Sequence, residues 1–290
     1  MNGFFIIDKP KGITSQGVVA KIKRQFQLKR CGHTGTLDPD ATGVLVVACG
    51  EATKLIRLLD EQEKEYETTI VFGKDSNTLD CYGTITKEIL MDFTLQELEL
   101  ALDKLKKQTY QIPPMVSAIK VAGKKLYQYE REHKSVEVAP RSVQIKRLER
   151  ISSLEKVDGF LEVDIRILCS KGFYVRSFAR DLGQALGGCA IIKELRRLKS
   201  GCFSIGTSVL LEEITKEHLY SIEDIFREFE YLEVNEFVAR LVKNGVVLDE
   251  RQIKTTKPFY ITYKGVIIAI YEPVAEYQYK PVVIFKESEG

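Results

Sequence analysis

The sequence predicts an α+β protein with one large domain and a small β-rich domain at its C-terminal side. Three observations support this: strands with period-two alternation, amphipathic helices between them, and a late group of short β-like runs. A chain of 290 residues is long enough for a full hydrophobic core and a second, smaller domain. We predict that the domains cover residues 1–234 and 235–290.

The first half of the chain alternates predicted strands and helices. The apolar start is predicted to be a first strand, and Ser15 is predicted to be the N-cap of the helix that follows. Residues 44–48 form a continuous apolar run, which is typical of a buried strand, and residues 65–73 alternate as a half-buried strand does. Thr94 and Glu97 then form a capping box ahead of an amphipathic helix.

The second half is less regular. Paired prolines at 113 and 114 predict an extended segment, and the basic, Tyr-bearing stretch 120–150 predicts an exposed arm. Strict alternation over 161–167 predicts a strand, and an apolar stripe over 178–186 predicts a helix that Gly187 ends. The remaining predictions are a second basic helix end at 195–201, a connecting helical segment at 211–236, and short strands at 245–248, 259–263, 266–270 and 282–285.

Composition excludes several classes of protein. No apolar run approaches the roughly 20 residues that span a bilayer, and Asp8 directly follows an apolar start without a basic region, so we expect a cytoplasmic protein. The six cysteines are scattered without zinc-ligand spacing, which predicts reduced thiols and no metal site. With three histidines and no glycine-rich dinucleotide motif, a Ser-His-Asp hydrolase or a nucleotide-cofactor enzyme has little support.

The net charge of +2 conceals strong segregation along the chain. Lys and Arg outnumber Asp and Glu by seven to one in residues 1–35, by nine to four in 120–150 and by eight to two in 166–200. Residues 211–236 carry nine acidic side chains against two basic ones. Three basic blocks in a chain that is balanced overall favour a polyanionic partner at one face.

The stretch from Gly32 to Gly43 is the strongest candidate for a functional site. It holds Asp38 between glycines and directly before Pro39, which predicts a tight loop that presents one carboxylate. On spacing alone, an ordinary Asp-Pro turn remains the simpler interpretation. Together with Tyr66, Tyr174 and Arg176, the loop suits a cofactor-free reaction on a nucleobase, because tyrosine can stack on an extruded base and arginine can pair with the carboxylate.

Six motifs in a fixed order cover most of residues 3–203 and resemble the bacterial tRNA pseudouridine synthases of the TruB type. Each motif alone is modest, and the specificity lies in their joint order. They are Asp8-Lys9-Pro10-x-Gly12-x-Thr14-Ser15; Gly32-His33-Thr34-Gly35-Thr36-Leu37-Asp38-Pro39 with Ala41-Thr42-Gly43; Lys64-x-Tyr66; Pro113-Pro114-x-x-Ser117-Ala118-x-Lys120; Cys169-Ser170-Lys171-Gly172-x-Tyr174-x-Arg176-Ser177; and Leu195-Arg196-Arg197 before Ser200-Gly201.

The resemblance implies a fold and a reaction. The fold is a pseudouridine-synthase catalytic domain, whose mixed, mostly antiparallel sheet is flanked by helices, followed by a PUA-like RNA-binding domain at 235–290. The reaction converts a uridine in the T-loop of tRNA (position 55 in standard tRNA numbering) to pseudouridine by moving the glycosidic bond from N1 to C5. The resemblance implies no cofactor, and it implies a monomer that binds the tRNA T-stem-loop without a protein partner.

The resemblance also implies roles for individual residues. Asp38 matches the essential aspartate, which attacks C1′ of the ribose, assists elimination to a glycal, or adds to C6 of the base. Arg176 matches the arginine that pairs with it and is expected to lower its pKa. Tyr66 matches the ring that packs on the flipped uracil. His33 matches a residue that helps to flip the uracil, and Leu195 matches an apolar residue near the base.

The other matches are supporting residues. Tyr174 belongs to the same substrate-binding set, Lys9 and Pro10 match a segment that buttresses the catalytic tyrosine, and the arm at 120–150 matches a mobile RNA-gripping insertion. Without the motifs, a half-buried strand tyrosine is the favoured interpretation of Tyr66. A surface ion pair and ordinary packing are the simpler interpretations of Arg176 and Tyr174.

Four departures and two alternatives stay open at this point. Asp40, Val116 and Ile191 replace residues common in the family, the arm only loosely follows its pattern, and Asp40 has no assigned role. A guide-RNA-dependent pseudouridine synthase and a non-catalytic tRNA binder are the competing functions. The aspartate, tyrosine and arginine set argues against a mere binder, and the basic arm favours an enzyme that grips its own substrate.

Overall fold

A computed structural model describes residues 1–60, 63–117, 119–132, 134 and 136–285. The helices are α1 (Ser15–Gln25), α2 (Ile56–Asp60), α3 (Leu95–Lys106), α4 (Leu126–Arg131), α5 (Val175–Ala185), α6 (Ile222–Ile225) and α7 (Glu236–Lys243). The strands of the first 210 residues are β1 (Gly3–Lys9), β2 (Cys31–His33), β3 (Thr42–Cys49), β4 (Lys64–Phe72), β5 (Lys74–Ser76), β6 (Ile85–Glu88), β7 (Tyr110–Gln111), β8 (Lys120–Val121), β9 (Lys124–Lys125), β10 (Arg141–Ser142), β11 (Ile145–Arg150), β12 (Glu155–Val157), β13 (Phe160–Cys169), β14 (Ala190–Ser200), β15 (Phe203–Ser204) and β16 (Val209–Leu210). The later strands are β17 (Glu230–Glu233), β18 (Leu248–Asp249), β19 (Phe259–Tyr263), β20 (Val266–Ala275) and β21 (Gln278–Ile284).

The main sheet has the strand order β11-β13-β4-β14-β3-β1-β16. Most neighbouring strands are antiparallel, whereas β14 pairs with β3 and β1 pairs with β16 in parallel. This mixed, mostly antiparallel sheet with helices packed on it confirms the predicted α+β class. The predicted alternation is also confirmed, because Tyr66, Thr68, Ile70 and Phe72 of β4 share the buried side.

Apolar layers lie on both faces of this sheet. Helices α3 and α5 pack over β4 and β13, and the apolar face of the amphipathic helix α3 is buried through Leu98, Ala101, Leu102 and Leu105. Helix α1 packs against β1 and β3 with Val18, Val19 and Ile22. Because these layers fix the strands from both sides, the loops at the strand ends are held on a rigid frame.

The C-terminal region forms a second sheet of order β17-β19-β20-β21-β18, with α7 packed on it. Tyr260, Ile270 and Val283 of this sheet share an apolar cluster with Phe4 and Val46 of the main sheet. The small domain is thus β-rich and in apolar contact with the large one. Its first strand, β17, lies just upstream of residue 235, where the sequence places the start of the domain.

Two predicted helical segments are wrong. Of the predicted helix end at 195–201, residues 195–200 belong to strand β14, which bonds to β4 and β3 on its two sides, so pairing within the sheet decides the conformation of this charged run. Residues 211–236 contain only short elements: a 3-10 turn at Lys216–His218, helix α6 and strand β17. Here Tyr220 exchanges two backbone hydrogen bonds of 2.9 Å with Phe4 on β1, so the segment follows the sheet edge rather than coiling on itself.

Two further details differ from the sequence predictions. The N-cap of α1 is Thr14, whose side chain accepts a hydrogen bond from the Gly17 amide, and not Ser15. The basic stretch 120–150 is not a single arm, because residues 145–150 form β11 at the edge of the main sheet. The hairpin β8–β9 and helix α4 precede it. None of the helices in the described part of the chain combines the length and the hydropathy that crossing a membrane requires.

Candidate active site

The loop between β2 and β3 is fixed on both sides of Asp38. The Ser15 hydroxyl donates to the Leu37 carbonyl at 2.9 Å and accepts from the Leu37 amide at 2.8 Å. The Pro39 carbonyl accepts from the Gly12 amide at 2.9 Å and from Nζ of Lys9 at 2.8 Å. Since both neighbours of Asp38 are anchored to the β1–α1 turn, the position of its backbone is strongly determined.

Lys9 is a buried cation beneath this loop. Its Nζ donates to the carbonyls of Pro10, Ile13 and Pro39 at 2.9, 2.7 and 2.8 Å. Burial lowers the pKa of Lys9 to about 8, while the negative charges of Asp40 and Asp38 oppose that change. Asp40, for which the sequence suggested no role, is therefore a counter-charge to Lys9.

Arg176 holds the carboxylate of Asp38 in a two-point ion pair. Its Nε lies 3.0 Å from Oδ2, and its Nη2 donates to Oδ1 at 3.2 Å. The other guanidinium bonds go to the carbonyls of Thr78 at 2.8 Å and Val116 at 3.0 Å, and the Arg176 side chain is only 6% exposed. All three guanidinium nitrogens thus contact an oxygen, and together they fix the orientation of the Asp38 carboxylate, whose side chain is 40% exposed.

Helix α5 places Arg176 in its first turn, where a cation is disfavoured by the helix dipole. The helix end is held by Gln111, whose side-chain amide accepts from the Tyr174 amide at 2.8 Å and donates to the Tyr174 carbonyl at 3.0 Å. Ser177 donates to the Ile112 carbonyl at 2.8 Å. The extended segment after α3 therefore clamps the helix end that carries Arg176.

The pKa of Asp38 is raised, which corrects the expected net decrease. Burial of the carboxylate raises the pKa most, the positive charge of Arg176 lowers it, and the negative charge of Asp80 raises it further. The pairing has the expected sign, but the dense protein surroundings of the partly exposed carboxylate outweigh it. Asp38 therefore holds a proton to higher pH than an aspartate in water does.

The structure brings six of the eight predicted site residues together around one cavity of about 420 Å³: His33, Asp38, Tyr66, Tyr174, Arg176 and Leu195. A second cavity of about 210 Å³ shares Asp38, Arg176 and Leu195 and adds Asp80 and Tyr82. The Asp38–Arg176 pair thus forms part of the wall of both cavities. Lys9 and Pro10 line neither of them, and Lys9 acts on the loop through Pro39.

Tyr66 and Leu195 come from the central strands. Tyr66 lies on β4, is 7% exposed, and has its pKa raised to about 12 by burial, with the Arg197 guanidinium opposing the rise. Leu195 lies on the neighbouring strand β14, opposite Thr68. Both residues therefore lie on central strands of the sheet, where neighbouring strands hold their backbones on both sides.

Tyr174 and His33 complete the cavity wall from outside the sheet centre. Tyr174 is the N-cap residue of α5; burial raises the pKa of its hydroxyl, and the neighbouring Ser117 hydroxyl lowers it. His33 is half-buried at the end of the short strand β2, opposite Val47. Aromatic and imidazole rings therefore face the cavity from elements other than the one that carries Asp38.

Sequence reasoning missed Arg197 and Asp80 as parts of this site. Arg197 is 1% exposed and lines the larger cavity, and the only signal was its place in the Leu195-Arg196-Arg197 motif. Asp80 accepts from the Thr78 hydroxyl at 2.6 Å and from the amides of Tyr82 and Gly83 at 3.0 and 3.2 Å. The sequence showed only a turn there.

Gly43 explains how β3 and β14 approach each other beside the site. Its φ is +101°, and a Cβ there would lie 2.2 Å from the Arg197 carbonyl oxygen. Only glycine fits this position, which brings Arg197 next to the loop that carries Asp38. Within the described ranges, no group of three or more His, Cys, Asp or Glu side chains is placed to hold a metal ion.

Comparisons with known proteins agree with this geometry. The family model described as "TruB family pseudouridylate synthase (N terminal domain)" matches residues 23–175, and the one described as "tRNA pseudouridylate synthase B C-terminal domain" matches residues 176–234. A protein of Oceanobacillus iheyensis named tRNA pseudouridine synthase B is 41% identical, with 98% of each chain covered. A protein of the same name from Lactobacillus acidophilus is 37% identical, with 100% of each chain covered.

Solved structures show the same fold at lower identity. The chain in the structure described as "Crystal Structure of a Cbf5-Nop10-Gar1 Complex" has a TM-score of 0.70 and 23% identity, with 99% of this chain and 84% of that one covered. The likeness at this identity concerns the fold. The two family models together match residues 23–234, and the relatives match over nearly their full length. The chain therefore belongs to the TruB family and is a pseudouridine synthase.

Proposed function

We propose that this protein converts the uridine at position 55 in the T-loop of tRNA to pseudouridine, with Asp38 as the reacting group. The names of its relatives, tRNA pseudouridine synthase B, support tRNA as the substrate. The T-loop uridine follows from the motifs around Asp38, Tyr66, Arg176 and Leu195. The cytoplasm, where tRNA is matured, is the proposed compartment.

One observation carries the proposal. The Asp38 carboxylate is gripped at both oxygens by Arg176, yet 40% of its side chain is exposed toward cavities that Tyr66 and Leu195 also line. A reacting carboxylate must be both oriented and accessible, and the Asp38 carboxylate meets both conditions. The arrangement suits a carboxylate that reacts with a nucleotide held in the cavity.

The reaction needs no group from outside the protein and the RNA. The C1′–N1 bond breaks, the uracil turns, the C1′–C5 bond forms, C5 loses a proton, and N1 gains one, so product and substrate are isomers. Asp38 can act at C1′ as a nucleophile, assist elimination to a glycal, or add to C6, and each route requires the ionised carboxylate that Arg176 orients. Tyr66 and Leu195 would enclose the base, with His33 and Tyr174 at the cavity wall.

We propose that the protein acts as a monomer without a protein partner. The hairpin β8–β9 carries Lys120, Lys124 and Lys125 within six residues, and it follows the extended segment whose Val116 carbonyl accepts from Arg176. The exposed Lys21, Lys23 and Arg24 of α1 lie just before the strand that ends at His33. These cations are suited to the phosphates of an RNA stem, so the protein would hold its own substrate.

The test is to incubate the purified protein alone with unmodified bulk tRNA and to map pseudouridine at nucleotide resolution. The account predicts modification at position 55 without any added cofactor, guide RNA or protein. Modification confined to reactions that contain a guide RNA would favour the guide-dependent alternative. Tight tRNA binding with no pseudouridine would favour the non-catalytic binder and contradict the proposal.

A further inference from the structure

Arg197 is an interior cation on a central strand. It is 1% exposed and lies on β14 directly opposite Tyr66 of β4, with Gly43 of β3 on its other side. A guanidinium rarely occupies a sheet interior, because its charge loses the hydration that it has in water. The position therefore calls for an interaction that offsets this cost.

The backbone satisfies only part of the Arg197 guanidinium. Its Nε donates to the Val44 carbonyl at 2.7 Å, and its Nη2 donates to the Gly35 carbonyl at 3.2 Å. Its Nη1 is buried and has no hydrogen-bond partner among the described residues. The two carbonyls thus fix the orientation of the Arg197 guanidinium. Its Nη1 donor and its positive charge remain available to neighbours in the cavity.

Tyr66 is the neighbour that this charge faces. Paired positions of two antiparallel strands point their side chains to the same face, and both residues line the larger cavity with Asp38. Burial raises the pKa of the Tyr66 hydroxyl most, the positive charge of Arg197 lowers it, and the negative charge of Asp38 raises it further. Arg197 is thus the cation among the groups that change the pKa of the Tyr66 hydroxyl.

We propose that Arg197 is a positioning residue that acts through Tyr66, holding the Tyr66 hydroxyl in place against the base in the cavity. The inference rests on the proposed function, in which C5 loses a proton and N1 gains one after the glycosidic bond has moved. A fixed, polarised hydroxyl on the cavity wall is suited to relay such a proton, accepting one while it passes its own on. The guanidinium keeps its own proton throughout.

The test is a double-mutant cycle of Arg197→Met and Tyr66→Phe, read as the single-turnover rate of pseudouridine formation at saturating enzyme. We expect each single variant to lower this rate by about 10-fold or more and the double variant to match Y66F within about 3-fold. R197K, which keeps the charge, should recover at least about 3-fold over R197M, and the Kd for tRNA should stay within about 2-fold of wild type.

Independent effects of the two substitutions on the single-turnover rate would overturn the inference. If the effects of R197M and Y66F multiply, Arg197 supports the fold and not the hydroxyl. If Y66F leaves the rate unchanged, the hydroxyl has no role and the inference fails, while wild-type isomerisation keeps the proposed function intact. If R197M does not fold, the cycle is run with R197K, and equal losses in the wild-type and Y66F backgrounds overturn it. The control K199M removes an exposed charge from the same strand and should keep the rate within about 2-fold.

Discussion

The guanidinium of Arg176 contacts both carboxylate oxygens of Asp38, at 3.0 and 3.2 Å, across the chain from one loop to the first turn of α5. The same guanidinium binds the carbonyls of Thr78 and Val116, so three separate segments meet at one side chain. Moving any of them would turn the carboxylate. Substitutions that weaken this ion pair, or the bonds that fix the loop around Asp38, should therefore have distinct effects on rate and stability.

After burial, the Arg176 charge is the largest influence on the pKa of the Asp38 carboxyl. Burial raises the pKa of Asp38, and the Arg176 charge lowers it, so removing that charge must raise the pKa further. If the ionised carboxylate reacts, the rate falls on acidification, and in R176M this fall should begin at higher pH than in wild type. Single-turnover rates across the acid range measure the shift. R176K, which keeps a charge without the fork, should lie between them, and an acid limb unchanged in R176M would contradict the account.

Ser15 and Thr14 offer a matched pair of neighbouring hydroxyls. Thr14 caps α1, whereas Ser15 bonds both backbone groups of Leu37 beside Asp38. We expect T14A to lower the free energy of unfolding by about 1 kcal/mol and to leave the single-turnover rate unchanged. S15A should lower the free energy of unfolding by about 1–3 kcal/mol and also lower the rate, since the Leu37 amide and carbonyl lose their partner. Equal rates in the two variants would show that the loop needs no such anchor.

Lys9 makes stability depend on pH in a defined direction. Its pKa is about 8 in the folded protein and 10.5 ordinarily, so between these values the unfolded chain binds more protons. The free energy of unfolding that Lys9 contributes should therefore rise as pH increases from about 8 toward 10.5 and stay flat below about 8. Comparing urea unfolding of wild type and K9M across this range isolates the effect. A difference between the two proteins that falls with rising pH would contradict the buried-cation description.

Phosphate binding by α1 should appear in the salt dependence of tRNA binding. Lys21, Lys23 and Arg24 are exposed on this helix, close in sequence to the strand that leads to His33. Replacing all three with Gln should weaken binding and reduce the slope of log K against log salt by about 0.7–0.9 for each phosphate that no longer pairs with a cation. The matched control replaces Lys104, Lys106 and Lys107 with Gln. These residues lie at the end of α3, far in sequence from the loop that carries Asp38. A slope unchanged by the α1 variant would remove α1 from the RNA-binding surface.

The sequence predicted correctly the elements whose hydrophobic pattern matches the way they pack in the structure. The loop at 32–43, the alternation of β4 and β13 and the capping box of α3 all needed only local rules, because the buried face can be read directly from spacing. Strand β14 could not be read that way. Its Arg197 is buried beside the larger cavity. A charged residue on the inner face breaks the apolar alternation that identifies a strand.

The motifs predicted most of the residues that meet at the cavity, apart from Arg197 and Asp80, but not the pKa values of those residues. The motifs indicated Asp38, Tyr66 and Arg176, and the structure places them around one cavity. The sign of the Asp38 pKa change was missed, because it depends on how much water the packed loop excludes, which no spacing encodes. The anchoring of Leu37 by Ser15 was missed for a similar reason, since capping by Thr14 and Ser15 looks alike in sequence.

The central claim is that the Asp38 carboxylate carries the reaction, and D38N tests it most directly. The measurement is tritium release from tRNA that carries 5-tritiated uridine, with filter binding of the same tRNA and with D103N, an exposed carboxylate on α3, as the control. The account predicts that D38N releases no tritium while its Kd for tRNA stays within about 3-fold of wild type, and that D103N behaves as wild type. Tritium release by D38N at a rate near that of D103N would contradict the account.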